Sequence, residues 1–81
     1  MFFYLYILYS QSIDKYYVGQ TENVEKRLSE HIIRKNLGAS DWQLKYKEQF
    51  PSRSEAVKRE SEIKRKKSRR YIEELLKGSN I

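Results

Sequence analysis

The chain reads strand, strand, helix, strand, helix, helix, and that order predicts an α+β domain in which a three-stranded antiparallel sheet is packed by about three helices. Three observations carry the prediction. An aromatic and branched run, Phe2 to Tyr9, opens the chain and a second strand, Lys15 to Gly19, follows at hairpin distance. Trp42, Leu44, Tyr46 and Phe50 alternate with Gln43, Lys45, Lys47 and Gln49, the pattern of a half-buried strand. The remaining stretches carry apolar residues at helical spacing behind capping residues.

Each element has its own local logic. The opening strand is bounded by Ser10-Gln11-Ser12 and Asp14-Lys15. If the loop that follows has an even number of residues, antiparallel pairing puts Tyr6 and Tyr17 on one face of the sheet. Thr21 is read as the cap of the first helix, with Glu22 in its first turn and Val24, Leu28 and Ile32 as its buried stripe; Gly38 ends that helix or its loop. Glu48 is the one misfit on the inner face of the third strand. After Pro51, Ser52-Arg53-Ser54-Glu55 reads as a capping box for a helix that turns Ala56, Val57 and Ile63 inward. Ser68 caps a last helix carrying Ile72, Leu75 and Leu76, with Gly78 as a left-handed stop.

Eighty-one residues suffice for one small domain, expected to span 1–81, with a thin stability margin. The absence of cysteine excludes disulfides and thiolate metal sites, and a single histidine excludes a His-rich zinc site. The apolar opening is far shorter than a membrane span and lacks a basic flank and a small-residue cleavage site, so a cytoplasmic protein with no membrane partner is expected. Seventeen Lys and Arg against 11 Asp and Glu give a net charge of +6, which favours a polyanionic partner. From Pro51 onward ten basic residues face five Glu, so +5 of that charge lies in the last third of the chain. The run Lys64-Arg65-Lys66-Lys67-Ser68-Arg69-Arg70 is read as a phosphate-contacting segment that gives affinity without sequence readout.

Glu60 is the most telling single residue. It lies four after Ala56 and three before Ile63, on the stripe a helix should bury, where an unpaired carboxylate costs free energy. It needs a partner, either a metal ion or a structural ion pair with a residue such as Arg27. Tyr6 and Tyr17 also suit a half-buried sheet as ordinary strand tyrosines, and Arg27 and His31, spaced i and i+4, suit a helix boundary. It is the five together that supply the parts for phosphodiester hydrolysis: a nucleophile activator, positive charge on the phosphate, and a carboxylate for a cation.

Tyr4-Leu5-Tyr6, then Tyr17-Val18-Gly19, then Asn23 to Arg27 with Leu28 and His31, then Glu55-Ala56 and Glu60 together resemble the GIY-YIG nuclease domain. The similarity covers almost the whole chain and is closest to small single-domain bacterial members related to the nuclease module of the excinuclease C subunit. Tyr4, Leu5 and Val18 depart from the motif letters without touching the chemistry. The resemblance implies a divalent-metal-dependent endonuclease acting on DNA rather than RNA, structure-selective or non-specific, in repair or processing. It implies that Tyr6, or else Tyr17, activates water, that Arg27 binds the scissile phosphate, that His31 is the polar residue one turn later, and that Glu60 holds a single Mg²⁺ or Mn²⁺. Gly19 matches the second-motif glycine and is expected near the nucleic acid with Lys64, Arg65, Lys66, Lys67, Arg69 and Arg70. A tyrosine base needs its phenolate favoured by a nearby cation. The segment Asn36 to Asp41 holds no lysine or tyrosine to act as an auxiliary group. Without an appended binding domain, a partner protein is expected to supply substrate choice. The alternative is a catalytically silent nucleic-acid-binding module of the same fold.

Overall fold

A computed structural model describes residues 1–78. It contains β1 (Phe3–Ser10), β2 (Lys15–Thr21), α1 (Val24–Ile33), a single 3-10 turn (Asn36–Gly38), β3 (Trp42–Phe50), α2 (Arg53–Lys66) and α3 (Arg69–Lys77). The three strands form one antiparallel sheet in the order β2-β1-β3. The α+β reading is therefore correct. Among the described residues no helix is long and apolar enough to cross a membrane.

The central strand β1 buries both of its faces, which is why it reads as a continuous apolar run rather than an alternating one. Tyr6 and Leu8 face one way, packing with Val24, Ala39 and Trp42 under α1. Leu5 and Ile7 face the other way, packing with Val18 and Ile63 under α2 and α3, where Ile72, Leu75 and Leu76 close the layer. The hairpin pairs Tyr6 with Gly19 and Leu8 with Tyr17, so both tyrosines stand on the α1 face, as the alternation predicts.

One alternation in β3 serves both cores, because the pairing shifts by one residue opposite Ile7 and Leu8 and leaves Lys45 as a bulge. Trp42 and Leu44 fall on the α1 side, whereas Tyr46, Glu48 and Phe50 fall on the α2 side. Glu48 is not a misfit there. Arg59 of α2 donates to both of its carboxylate oxygens at 2.9 and 3.1 Å, the Tyr46 hydroxyl donates as well, and Arg59 reaches Tyr71 of α3 at 3.2 Å. Burial alone would push the Glu48 carboxyl up, but these hydrogen bonds and the guanidinium charge hold it below the usual carboxylate range.

Several local expectations are corrected. Thr21 does not cap α1, because it still pairs with Tyr4 at the end of β2; the cap is Asn23, whose Oδ1 accepts from the Lys26 N–H at 3.0 Å, and the first-turn acid is Glu25 rather than Glu22. Ile32 is exposed, and His31 takes its place in the buried line. At about 100° per residue, a side chain seven positions after Val24 returns to within about 20° of it, whereas one eight positions on is swung away by about 80°. Val57 is exposed for the same reason, lying about 100° around α2 from Ala56. Gly78 is not left-handed, with φ −91°; the left-handed stop belongs to Lys67, at φ 49° between α2 and α3. Gly38 does end the 3-10 turn with φ 83°. The Ser52 cap is as read, its Oγ accepting from the Glu55 N–H and donating to the Glu55 carboxylate.

Because Asn23 alone caps α1, Asn23→Ala should lower stability by about 1 kcal/mol. Val57→Ala should change it by less than about 0.5 kcal/mol, as befits an exposed position. Urea unfolding compares the two, and equal costs would contradict the assignments.

Candidate active site

The site forms where side chains from β1, β2 and α1 meet at the sheet edge. Tyr6, 1% exposed, lies across Gly19 of the edge strand β2. A Cβ on Gly19 would stand 2.6 Å from the Tyr6 hydroxyl oxygen and 2.8 Å from the ring carbon that carries it. Only glycine leaves that space. Gly19 is itself buried, so it positions Tyr6 rather than offering a nucleic-acid contact surface of its own.

His31, 7% exposed, points its Nε2 at the Tyr6 hydroxyl, 3.1 Å away. The imidazole is wedged between aromatic rings, 4.5 Å from Tyr17 and 6.4 Å from Trp42 between centroids, and Tyr17 stacks beside Tyr6 at 6.3 Å. The Arg27 guanidinium stands beside the Tyr6 oxygen and is held on its other side by Glu30 at 3.2 Å. Four of the five residues expected to act together are thus assembled.

Electrostatics set their protonation. Burial pushes the Tyr6 phenol up to about 12; Arg27 pulls it down, while Tyr17 and Glu60 add to the rise. Burial, then the Arg27 charge, push His31 below its ordinary value, so the ring is neutral at pH 7. With its proton on Nδ1, the neutral ring accepts the Tyr6 O–H at Nε2.

Glu60 is carried by α2, on the opposite face of the sheet from α1, and is linked to the cluster through the effect of its charge on Tyr6. Its side chain is 21% exposed and its ion-pair partner is Lys64, Nζ to Oε2 2.5 Å, rather than Arg27. Among the described residues no three His, Cys, Asp or Glu cluster as a ready-made cation site. A lone half-buried carboxylate suits Mg²⁺ or Mn²⁺ held through one protein ligand, water and a substrate phosphate. It does not suit a dedicated carboxylate cage.

A cleft of about 160 Å³ opens beside Arg27 and His31, lined by Tyr17, Arg27, Glu30, His31, Arg34 and Asn36. It adjoins a second cleft that shares Arg27 and Glu30 and adds Lys26 and Arg53. The sequence reading missed Lys26, Arg34 and Arg53, although Arg27, His31 and Arg34 share one helix face at i, i+4 and i+7. It also missed Asn36, whose buried Nδ2 has no acceptor among the described residues. That amide faces the cleft as a polar group that a search for lysine or tyrosine overlooks.

The basic run spans the end of α2 and the start of α3. Lys64 is committed to Glu60, Arg69 to Asp14 at 2.6 Å and Glu73 at 3.2 Å, and Lys66 sits over the Tyr71 ring. No carboxylate pairs with Arg65, Lys67 or Arg70 among the described residues, and all three are exposed.

Gly19→Ala should cost about 1–3 kcal/mol in urea unfolding and shift the Tyr6 ring resonances, because the added methyl displaces the phenol. A neutral substitution would contradict the close approach. For His31, the native pKa lies below the unfolded 6.5, so between the two values the unfolded chain binds a proton that the native chain does not. Stability should therefore rise with pH across that window and fall on acidification below about 6.5. His31→Gln should remove this part of the slope, read from urea midpoints against pH; an unchanged slope would contradict a buried neutral imidazole.

Comparison with known proteins agrees with this geometry. Residues 2–72 match the model of the GIY-YIG catalytic domain. A UPF0213 protein of the archaeon Natronomonas pharaonis is 38% identical over 65 residues, spanning 75% of each chain. The solution NMR structure of a UPF0213 protein from Bacillus halodurans superposes with a TM-score of 0.61 at 33% identity, covering 95% of this chain and 84% of that one. The chain belongs to the GIY-YIG family and carries its nuclease-type fold.

Proposed function

We propose that this protein is a divalent-metal-dependent endonuclease that hydrolyses phosphodiester bonds of DNA in repair or processing, working in the cytoplasm as a single domain. The observation that carries the reading is the contact of the Tyr6 hydroxyl with a neutral His31 at 3.1 Å, with Arg27 beside the same oxygen.

The phosphate enters between Arg27 and the Tyr6 hydroxyl, with Arg34, Lys26 and Arg53 drawing the strand toward the cleft. Tyr6 passes its proton to His31 Nε2 and takes one from the attacking water, whose oxygen bonds to phosphorus as the opposite P–O bond breaks. Tyr17 stacks beside both rings and fixes their orientation. Moving a proton from a phenol of pKa about 12 to an imidazole below 6.5 costs at least about 7 kcal/mol, so the phenolate must be met by positive charge as it forms. Arg27 supplies part of that charge. Mg²⁺ or Mn²⁺ held by Glu60 would supply the rest and neutralise the leaving oxygen.

A second reading, a silent nucleic-acid-binding module, is favoured by one observation: the Glu60 carboxylate already holds the Lys64 ammonium. One experiment separates the two. Labelled single-stranded, duplex, flap and branched DNA, with RNA counterparts, are incubated with the protein and Mg²⁺ or Mn²⁺. The nuclease reading expects cleavage whose rate rises into the alkaline range, falls at least 100-fold in Tyr6→Phe and Glu60→Gln, and leaves binding intact. Binding without cleavage under every metal leaves the silent module.

A further inference from the structure

A second cavity, about 460 Å³, lies outside the cleft just described, between the free edge of β2 and the α2–α3 joint. Its floor is apolar, made by Val18, Ile63 and Ile72 with the ring of Tyr16 at one side. Its rim is cationic. Lys64, Lys67 and Arg69 stand on it, and its one acid, Asp14, is held by Arg69 at 2.6 Å and by the Tyr9 hydroxyl at 2.5 Å. An apolar floor under a positive rim is complementary to a nucleotide, a flat apolar base attached to an anionic phosphate.

The cavity neighbours the candidate active site. Tyr17 lines both, and Lys64, on the rim, is the partner of Glu60. A strand that leaves a phosphate between Tyr6 and Arg27 and runs past Tyr17 would meet the edge of β2 with its next nucleotide. A base stacked in a helix cannot enter a cavity walled by Tyr16 and Ile72; an unpaired one can.

We propose that this cavity binds the base of an unpaired nucleotide adjacent to the scissile phosphate, so that the preferred substrate is a duplex interrupted by an unpaired base. The proposal rests on a nucleic-acid strand crossing the Tyr6–Arg27 site, and adds the feature of the strand that is selected. Lys15 and Lys67, the cavity's cations with no carboxylate partner among the described residues, hold the phosphate of the extruded nucleotide while Ile63 and Ile72 take its ring.

The test compares a plain duplex with the same duplex carrying one bulged adenine, using fluorescence anisotropy without metal and the Ile63 and Ile72 methyl signals by NMR. The wild-type protein should bind the bulged duplex about tenfold more tightly, and only that duplex should move both methyl signals. Ile72→Phe, which fills the floor, should bring the affinity ratio to about one. Lys67→Asn, which removes a rim charge while keeping a residue that tolerates φ 49°, should lower the ratio even if Ile72→Phe does not fold. Equal affinities for the two duplexes in the wild type, or a wild-type ratio in Lys67→Asn together with any folded Ile72→Phe, would overturn the proposal. Saturation of the methyl signals by free adenosine monophosphate, with no preference between duplexes, would overturn it in favour of a small-ligand site. A protein that prefers the bulge yet cleaves nothing in Mn²⁺ keeps the cavity and loses the nuclease reading; cleavage without preference does the reverse.

Discussion

A phenol laid directly on a glycine backbone is the contact on which the rest of the site depends. Tyr6 projects from the central strand and needs the missing side chain of Gly19 to extend over the edge strand. From there its hydroxyl meets residues that β1 could not otherwise reach: His31 and Arg27 on α1, and the field of Glu60 on α2. Because β1 is buried on both faces, the ring cannot turn elsewhere without opening a core that includes Leu8, Val24 and Trp42. The Tyr6 phenol is thus pinned by packing, and the helices bring charge to it.

Charge is arranged in two tiers. Near Tyr6, opposite pulls are balanced: burial and Glu60 keep the proton on the phenol, while Arg27 favours its release and keeps His31 neutral and able to accept it. On the proposed nuclease reading, such a balance shifts toward the phenolate when further positive charge arrives, as Mg²⁺ or Mn²⁺ would bring. At the α2–α3 joint, Arg65, Lys67 and Arg70 add exposed positive charge that no carboxylate pairs among the described residues. The Arg59–Glu48 pair, tied to Tyr46 and Tyr71, fixes α2 and α3 on β3 and so holds Glu60 in place from behind.

Much of this was legible in the chain. Strand alternation placed Tyr6 and Tyr17 on one face because side-chain period and hairpin register are nearly deterministic once the four-residue loop, residues 11–14, is even. Glu60 stood out because an acid on an apolar stripe needs a partner, but periodicity cannot name that partner, and it is Lys64 rather than Arg27. The bulge at Lys45 left no mark on the sequence: the alternation runs straight through it, and only the pairing with Ile7 and Leu8 shows two faces in place of one. Assigning Ile32 to the core failed because hydrophobicity was allowed to outweigh geometry; the seven-residue return favours His31, and a histidine chosen over an available isoleucine is itself a sign of use. The cavity at the β2 edge was invisible, because its walls come from β2, α2 and α3 together.

The central claim is that nucleic acid engages the Tyr6, Arg27 and His31 cluster rather than only a cationic surface. Titrating ¹⁵N-labelled protein with a non-hydrolysable phosphorothioate oligonucleotide and mapping amide shifts tests it most directly. The account predicts the largest changes at Gly19, Arg27 and His31 and at the Arg27 side-chain Nε. Changes confined to residues 64–70, with α1 and Gly19 silent, would contradict it.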